Sequence, residues 1–309
     1  SIAQHAMLAA LQTDLIAVRH LVNTHLSLAG TVAAVTYNVL GHRHPLRALL
    51  HPHISGTLAV NHNTVKLLAG HSYSFLPEMF SYSQEQIIRL INEATLKFDI
   101  REMDFEENLK MRGFDPSSIG IKYPYAENAG ALWSIIRQYA AEYVGAVYET
   151  EESISKDEEL KRWYEALDLY IPQGIKGYLG GSLTINKTSL AKLLSTIIFT
   201  ASVEHENVGN KTFDYCFWQQ YIPMQVPVDG SLIKVDAFNI FVNLGILTSS
   251  SSAKITDDFR KLAPDSKTKE AMRSFRQALL DYQDKLDQDR NLDLSAVLKP
   301  KVIESAVRS

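Results

Sequence analysis

The stretch Arg19-His20-Leu21-Val22-Asn23-Thr24-His25 sits inside a segment, from Ala6 to about Leu40, that is apolar almost all round. Only residues such as Asp14, Arg19, the two histidines and Asn23 interrupt it. A helix apolar on every face is one buried on every face. A membrane span has similar hydropathy, but this many charged and amide side chains within one window are costly in lipid, so a core helix is the better reading. His20 and His25 are five residues apart, which at 3.6 residues per turn points their side chains well apart. A widened, π-type turn would return both to one face, and such turns are frequent at functional sites. A third histidine in a matching context, His205 within Thr200-Ala201-Ser202-Val203-Glu204-His205-Glu206-Asn207, makes three imidazoles that could cage a metal ion.

One histidine on an apolar helix is more often a hydrogen-bonded core residue than a ligand; three in matching contexts favour ligation. The histidines at 42, 44, 51, 53, 62 and 71 cluster near prolines and turns and read as connector or surface residues. Glu204 and Glu206 flank His205 but lie on different faces of its helix, so they read as ion-paired or ligand-supporting groups rather than general bases. Cys216 has no histidine nearby in sequence and reads as a small buried hydrophobe.

Composition bounds the class. The chain has 309 residues and is 46% hydrophobic, enough for a sizeable core. Its 31 basic and 35 acidic residues are mixed and give a net charge of -4, so no basic stripe recruits nucleic acid. A single cysteine excludes an internal disulfide and any cysteine-rich metal site. Imidazole, amide and carboxylate remain as ligands, a set suited to iron or manganese. No secretory leader is visible at Ser1, although a removed one would leave no trace; a cytoplasmic location is favoured and secretion stays open.

Further along, two prolines in His44-Pro45-Leu46-Arg47-Ala48-Leu49-Leu50-His51-Pro52-His53 predict a connector into a second apolar helix over 57–69. Ser83 to Lys97 is amphipathic with Ser83 as N-cap, and helical patterns follow at 128–149, 156–169, 187–208, 231–247 and 268–289. Long ordered connections are expected around Met111–Asn128 and Tyr170–Thr184. Strand signals are few, no repeat or linker divides the chain, and one all-α (mainly α) domain over 1–309 is the economical assignment.

Several blocks, in order, resemble the iron-bearing, C-terminal part of the lipoxygenase catalytic domain. They are His20–His25; the run from His44 through His53 to Gly56-Thr57; Asn108-Leu109-Lys110-Met111-Arg112-Gly113; Tyr123-Pro124-Tyr125-Ala126-Glu127-Asn128 with Leu132-Trp133; Glu142-Tyr143-Val144; Asp157–Trp163; and Ile197–His205. The resemblance implies a helical catalytic core around a long central helix, with one non-haem iron (manganese being an alternative) held by His20, His25 and His205. The tail from Lys299 resembles the family's closing segment, which implies that the α-carboxylate of Ser309 is a further ligand. Four residues after His205, where the family usually carries a side-chain ligand, stands Gly209; either Asn210 reaches the metal on a widened turn or water takes that position. The family's glutamine four residues before the first histidine is here Ile16.

By the same resemblance Thr64 falls where a small residue shapes the oxygen-access face, and Leu68 and Phe75 fall along a fatty-acid channel; ordinary helix packing is the competing reading for all three. The implied activity is insertion of O2 into a polyunsaturated fatty acid to give a lipid hydroperoxide. The metal's own hydroxide takes the hydrogen, so no catalytic acid or base is assigned to a side chain. A different substrate, hydroperoxide conversion, or lipid binding without turnover are the alternatives. Lipoxygenases carry a helical portion ahead of the first ligand helix, so a separate or cleaved N-terminal segment is expected as a partner, an unusually compact variant being the alternative, with at most peripheral membrane contact.

Overall fold

The computed structural model describes residues 2–69, 76–114, 123–209, 223–226, 253–289 and 297–308. Its first element is a continuous helical run in three parts: α1 (Ile2–Thr13), a π-helix, π1 (Asp14–Gly30), and α2 (Thr31–Val39). Both junctions keep right-handed helical backbone, Thr13 at φ -62°, ψ -46° and Gly30 at φ -63°, ψ -47°, so the run widens without breaking. Leu21, Val22, Leu28 and Val32 are buried along its centre, as the apolar pattern predicts, but Met7 and Leu11 on α1 are exposed, so the run is not buried on every face over the whole of 6–40. Among the described residues no helix is long and apolar enough to cross a membrane.

Residues 44–53 depart from the expected connector. They form a helix of their own, α3 (Pro45–Ile54). Pro45 occupies its first turn, where a missing N–H costs nothing, and the His44 ring accepts from the Leu46 amide at 3.2 Å as N-cap. Pro52 lies close to the end of α3, so its lost backbone bond removes little. Gly56, at φ +84°, then turns the chain into α4 (Thr57–Ala69). This second helix is inverted relative to its apolar pattern: Thr57, Asn61 and Thr64 are buried, while Leu58 and Val65 are exposed.

The next helix, α5 (Gln84–Lys97), has Ser83 as N-cap in a capping box with Gln86 and packs on π1. Helix α6 (Pro124–Val147) starts four residues before the predicted 128, because Pro124 is itself suited to a first turn. Helix α7 (Glu158–Tyr170) is capped by Asp157 and preceded by a short helical turn, Glu151–Ser155. The Trp163 indole on α7 donates to Thr36 Oγ1 on α2 at 3.0 Å, and Trp163 and Tyr164 are both fully buried. Residues 171–184, expected as a connection from Tyr170, run mainly as turns and bends, with Gln173, Gly174, Gly180 and Gly181 all at positive φ.

The predicted helix over 187–208 is found as α8 (Lys187–Phe199), a second π segment, π2 (Thr200–Glu204), and α9 (His205–Val208). Finally α10 (Ser266–Gln288) packs with α8 against α6, where Phe275 stacks on Tyr139 at 4.1 Å between ring centres. No strand occurs among the described residues, only a bridge between Lys254 and Glu304. The helix expected at 231–247 lies outside them, as do His71 and Cys216.

Candidate metal centre

The widened helix is visible in its side chains as well as its backbone. In α1 the Thr13 hydroxyl donates to the carbonyl four residues back, that of Ala9, at 2.9 Å. In π1 the Thr24 hydroxyl donates to the carbonyl five residues back, that of Arg19, at 2.9 Å. A five-residue period places His20 and His25 on the same face, one turn apart. The spacing predicts a local widening, and the helix instead stays wide for 17 residues. On the facing helix π2 ends at Glu204 and His205 follows directly.

Three imidazoles meet between these helices. His25 Nε2 lies 3.1 Å from His20 Nε2 and 3.2 Å from His205 Nε2. One ring nitrogen from each lies within 4.8 Å of the others, with His25 and His205 buried and His20 partly so. The state of His25 follows from its neighbour Asn61 on α4. The Asn61 amide nitrogen donates to the His25 backbone carbonyl at 2.6 Å, which turns its oxygen toward His25 Nδ1 at 2.9 Å. That oxygen can only accept, so Nδ1 carries the hydrogen and Nε2 presents a lone pair to the centre.

This arrangement fits a cation. One lone pair on His25 serves at most one of two neighbouring N–H groups well, whereas an ion takes a lone pair from each ring. Two nitrogens bound at about 2.1 Å and at right angles are roughly 3 Å apart, close to the spacing found. Fixing the outer nitrogen of a ligating imidazole with an amide oxygen also orients the ring and raises its basicity. Gly30 makes the Asn61 contact feasible: a Cβ there would stand 2.7 Å from Asn61 Nδ2 and 2.8 Å from the His25 carbonyl.

Charged groups gather beside the trio. Arg19 pairs with Asp14 at 2.9 Å, and Glu204 accepts from the Tyr125 hydroxyl at 2.6 Å. Both Arg19 and Glu204 line a polar cavity of about 180 Å³ with Glu102, Asn108 and Arg112. Burial pushes the Glu204 carboxyl up, against the Tyr125 hydrogen bond that lowers it. Glu204 therefore supports the helix from behind, as its alternate face suggests. A roomier groove of about 820 Å³, lined by Leu26, Ala34, Val35, Ala166 and Leu169, contains none of the three histidines, so volume alone does not locate the chemistry.

The remaining predicted site residues separate as follows. Thr64 is buried on the same face of α4 as Asn61. Leu68 belongs to α4, but its side chain lies outside the described set, and Phe75, Asn210 and Ser309 lie outside it entirely. At Gly209 a Cβ would stand 2.9 Å from His20 Nε2 and 2.8 Å from the His205 carbonyl, so this position admits no side chain without a shift. Asn61 is the functional residue that sequence reading missed. Its signal was a polar stripe, Thr57, Asn61 and Thr64, at helical spacing in a helix otherwise read as apolar. His53, expected at the surface, is buried in the interior. Its Nδ1–H donates to the Ser305 carbonyl at 2.8 Å, which supplies the partner that burial demands.

The family model described as Lipoxygenase matches residues 9–233. The chain belongs to the lipoxygenase family. It is 31% identical over 191 residues to the linoleate 9/13-lipoxygenase of Pseudomonas aeruginosa, covering 62% of this chain and 27% of that one. A polyunsaturated fatty acid lipoxygenase of Mus musculus is 26% identical over 313 residues, covering 93% and 46%. The crystal structure of a coral 8R-lipoxygenase shares the fold with a TM-score of 0.84 and 21% identity, over 100% of this chain and 49% of that one. The lipoxygenase chain described here thus spans less than half the length of these curated relatives.

Proposed function

We propose that this lipoxygenase chain binds one non-haem iron through His20, His25 and His205 and takes part in adding O2 to a polyunsaturated fatty acid. The observation that carries the reading is the convergence of three Nε2 atoms from π1 and α9, with Asn61 directing the His25 lone pair inward. The substrate class comes from the relatives, among them a linoleate lipoxygenase and a lipoxygenase crystallised with arachidonate.

A bound iron supplies the one-electron chemistry that removes hydrogen from a methylene between two double bonds and prepares that carbon chain for O2. The chain's own residues do the rest. Asn61 fixes one tautomer of His25, and Glu204, next to His205, is held by the hydroxyl of Tyr125. Gly209 keeps the space beside His20 free of a side chain, so a fourth protein ligand comes from Asn210 or that position takes water.

The test is metal analysis and oxygen uptake on protein expressed with supplemented iron. The expected result is about one iron per chain, lost in His25→Ala and His205→Ala, with uptake supported by linoleate or arachidonate. Retention of metal by both variants overturns the ligand assignment. Consumption of fatty-acid hydroperoxide without oxygen uptake transfers the chain to isomerase chemistry, the activity named for a human relative at 25% identity.

A further inference from the structure

The corner between α3 and α4 carries a second, separate set of hydrogen bonds, two of them buried, that join it to the segment 305–308. His53 Nδ1 donates to the Ser305 carbonyl at 2.8 Å, and the Thr57 hydroxyl to the Val307 carbonyl at 3.2 Å. In the reverse direction Arg308 Nε donates to the Ser55 carbonyl and its Nη2 to the Ser55 hydroxyl, each at 2.6 Å. Gly56 makes room: it sits at φ +84°, and a Cβ on it would stand 2.9 Å from Arg308 Nε. On its other side the segment is pinned by Ser305 N to Ala253 O at 2.8 Å and Ile255 N to Ile303 O at 3.0 Å.

What these bonds hold in place is Val307. It is fully buried and packs with Ala29 and Ala201 in a small cluster of its own. Ala29 lies four residues after His25 on π1, and Ala201 four residues before His205 on π2. The carbonyls gripped by His53 and Thr57 belong to Ser305 and to Val307 itself, so the grip fixes both the register and the depth of this wedge. The alanines leave room for one valine between two helices whose separation sets the distance between His25 and His205. Packed interiors transmit a shift at such a contact rather than absorb it.

We infer that the α3–α4 corner is a latch: His53 and Thr57 are positioning residues that hold Val307 between π1 and π2 and so set the geometry of the histidine trio. The half of this inference that concerns metal rests on the trio being a metal site; the half that concerns the segment does not. His53 is therefore a neutral donor to a carbonyl and takes no part as a ligand, although it is as buried as His205.

The test uses two pairs of near-isosteric variants of the full chain. His53→Leu and Thr57→Val remove the donor; His53→Asn and Thr57→Ser keep one at the same place. Hydrogen exchange over 303–308 and the rate at which a chelator strips iron are read on each, with the melting temperature alongside. The donor-less variants should exchange faster over 303–308 and release iron up to roughly tenfold faster, the low end of what removing a ligand's direct partner costs, while the donor-keeping variants restore both. Unchanged exchange in His53→Leu and Thr57→Val means that there is no latch. Faster exchange with wild-type iron release means that a latch exists but does not set the site. If the wild-type protein holds no iron, the trio assignment and the metal half fall together, and exchange still decides whether the latch exists.

Discussion

Among the described residues two places bury histidines deeply, and they use them in opposite ways. At the trio, His25 and His205 turn Nε2 toward other imidazole nitrogens, and Asn61 holds the His25 hydrogen on the outer nitrogen. At the α3–α4 corner, His53 turns a ring N–H toward a backbone carbonyl and is satisfied by it. Burial is nearly the same, 2% exposure for His25 and 1% for His53. The atom that each ring faces therefore separates the proposed ligand from the strut: a carbonyl uses the hydrogen of His53, whereas the lone pair of His25 faces two further imidazole nitrogens.

The sharpest way to break the comparison is to exchange the outcomes. His205→Ala removes one of three nitrogen donors and is expected to abolish iron binding, whereas His53→Leu leaves all three donors and only loosens the hold. Metal content after gel filtration separates these results. Iron that survives His205→Ala but not His53→Leu would invert the assignment of ligand and strut.

A second measurement uses pH. Burial lowers the His53 pKa to about 4, with the Ser305 carbonyl pulling the other way. The unfolded chain takes up this proton near pH 6.5 and the folded one only near 4, so the neutral ring's contribution is full above 6.5. It is lost as the pH falls from 6.5 toward 4, in total about 3 kcal/mol. Urea unfolding of the metal-free protein should show this loss, and His53→Asn, which does not titrate, should flatten it. An unaltered slope in that variant would mean that other groups carry the acid sensitivity.

These contrasts mark what was legible in the sequence. Helix α4 was predicted over 57–69 and is found at Thr57–Ala69, and Ser83 caps α5 as read, because periodicity and capping chemistry are local. The trio was legible because three histidines in apolar helices are individually odd, and the five-residue spacing demanded the widened helix that π1 provides. His53 was misread because Pro52 and Gly56 beside it signal a turn, and a turn suggests surface; here the turn is covered by Arg308, 252 residues further on from Gly56 but packed against it. Asn61 was missed for a similar reason: its partner is 36 residues away, and nothing local distinguishes a ligand's brace from an ordinary polar residue. The inward-facing Thr57, Asn61 and Thr64 could have been found by their shared face, since a buried polar stripe must have partners.

A third experiment sharpens the role of that brace. Asn61→Leu removes both the acceptor for His25 Nδ1–H and the donor to its carbonyl while keeping similar volume. Losing such a partner of a ligating histidine costs roughly ten- to hundredfold in metal affinity. Gly30→Ala should act in the same direction, because its new methyl would press on Asn61 Nδ2 from 2.7 Å. Competition with a chromophoric chelator reads both. Wild-type affinity in Asn61→Leu would show that the three rings hold their orientation without it.

The smallest expected effect serves as the control for all of these. Asp265 caps α10, accepting from the Thr268 amide at 2.8 Å in a capping box. That helix packs on α6 and none of its residues belongs to the trio or the corner. Asp265→Ala should cost about 1 kcal/mol of stability, the usual worth of an N-cap. Because the loss is remote from π1 and π2, iron release should stay at the wild-type rate even as the melting temperature falls. If Asp265→Ala and His53→Leu accelerate iron release equally at matched loss of stability, release tracks global unfolding, and the corner is only one more stabilising contact. If His53→Leu releases iron faster at the same stability, the effect passes through Val307 to the two histidine helices, as the packing of Ala29 and Ala201 against it requires.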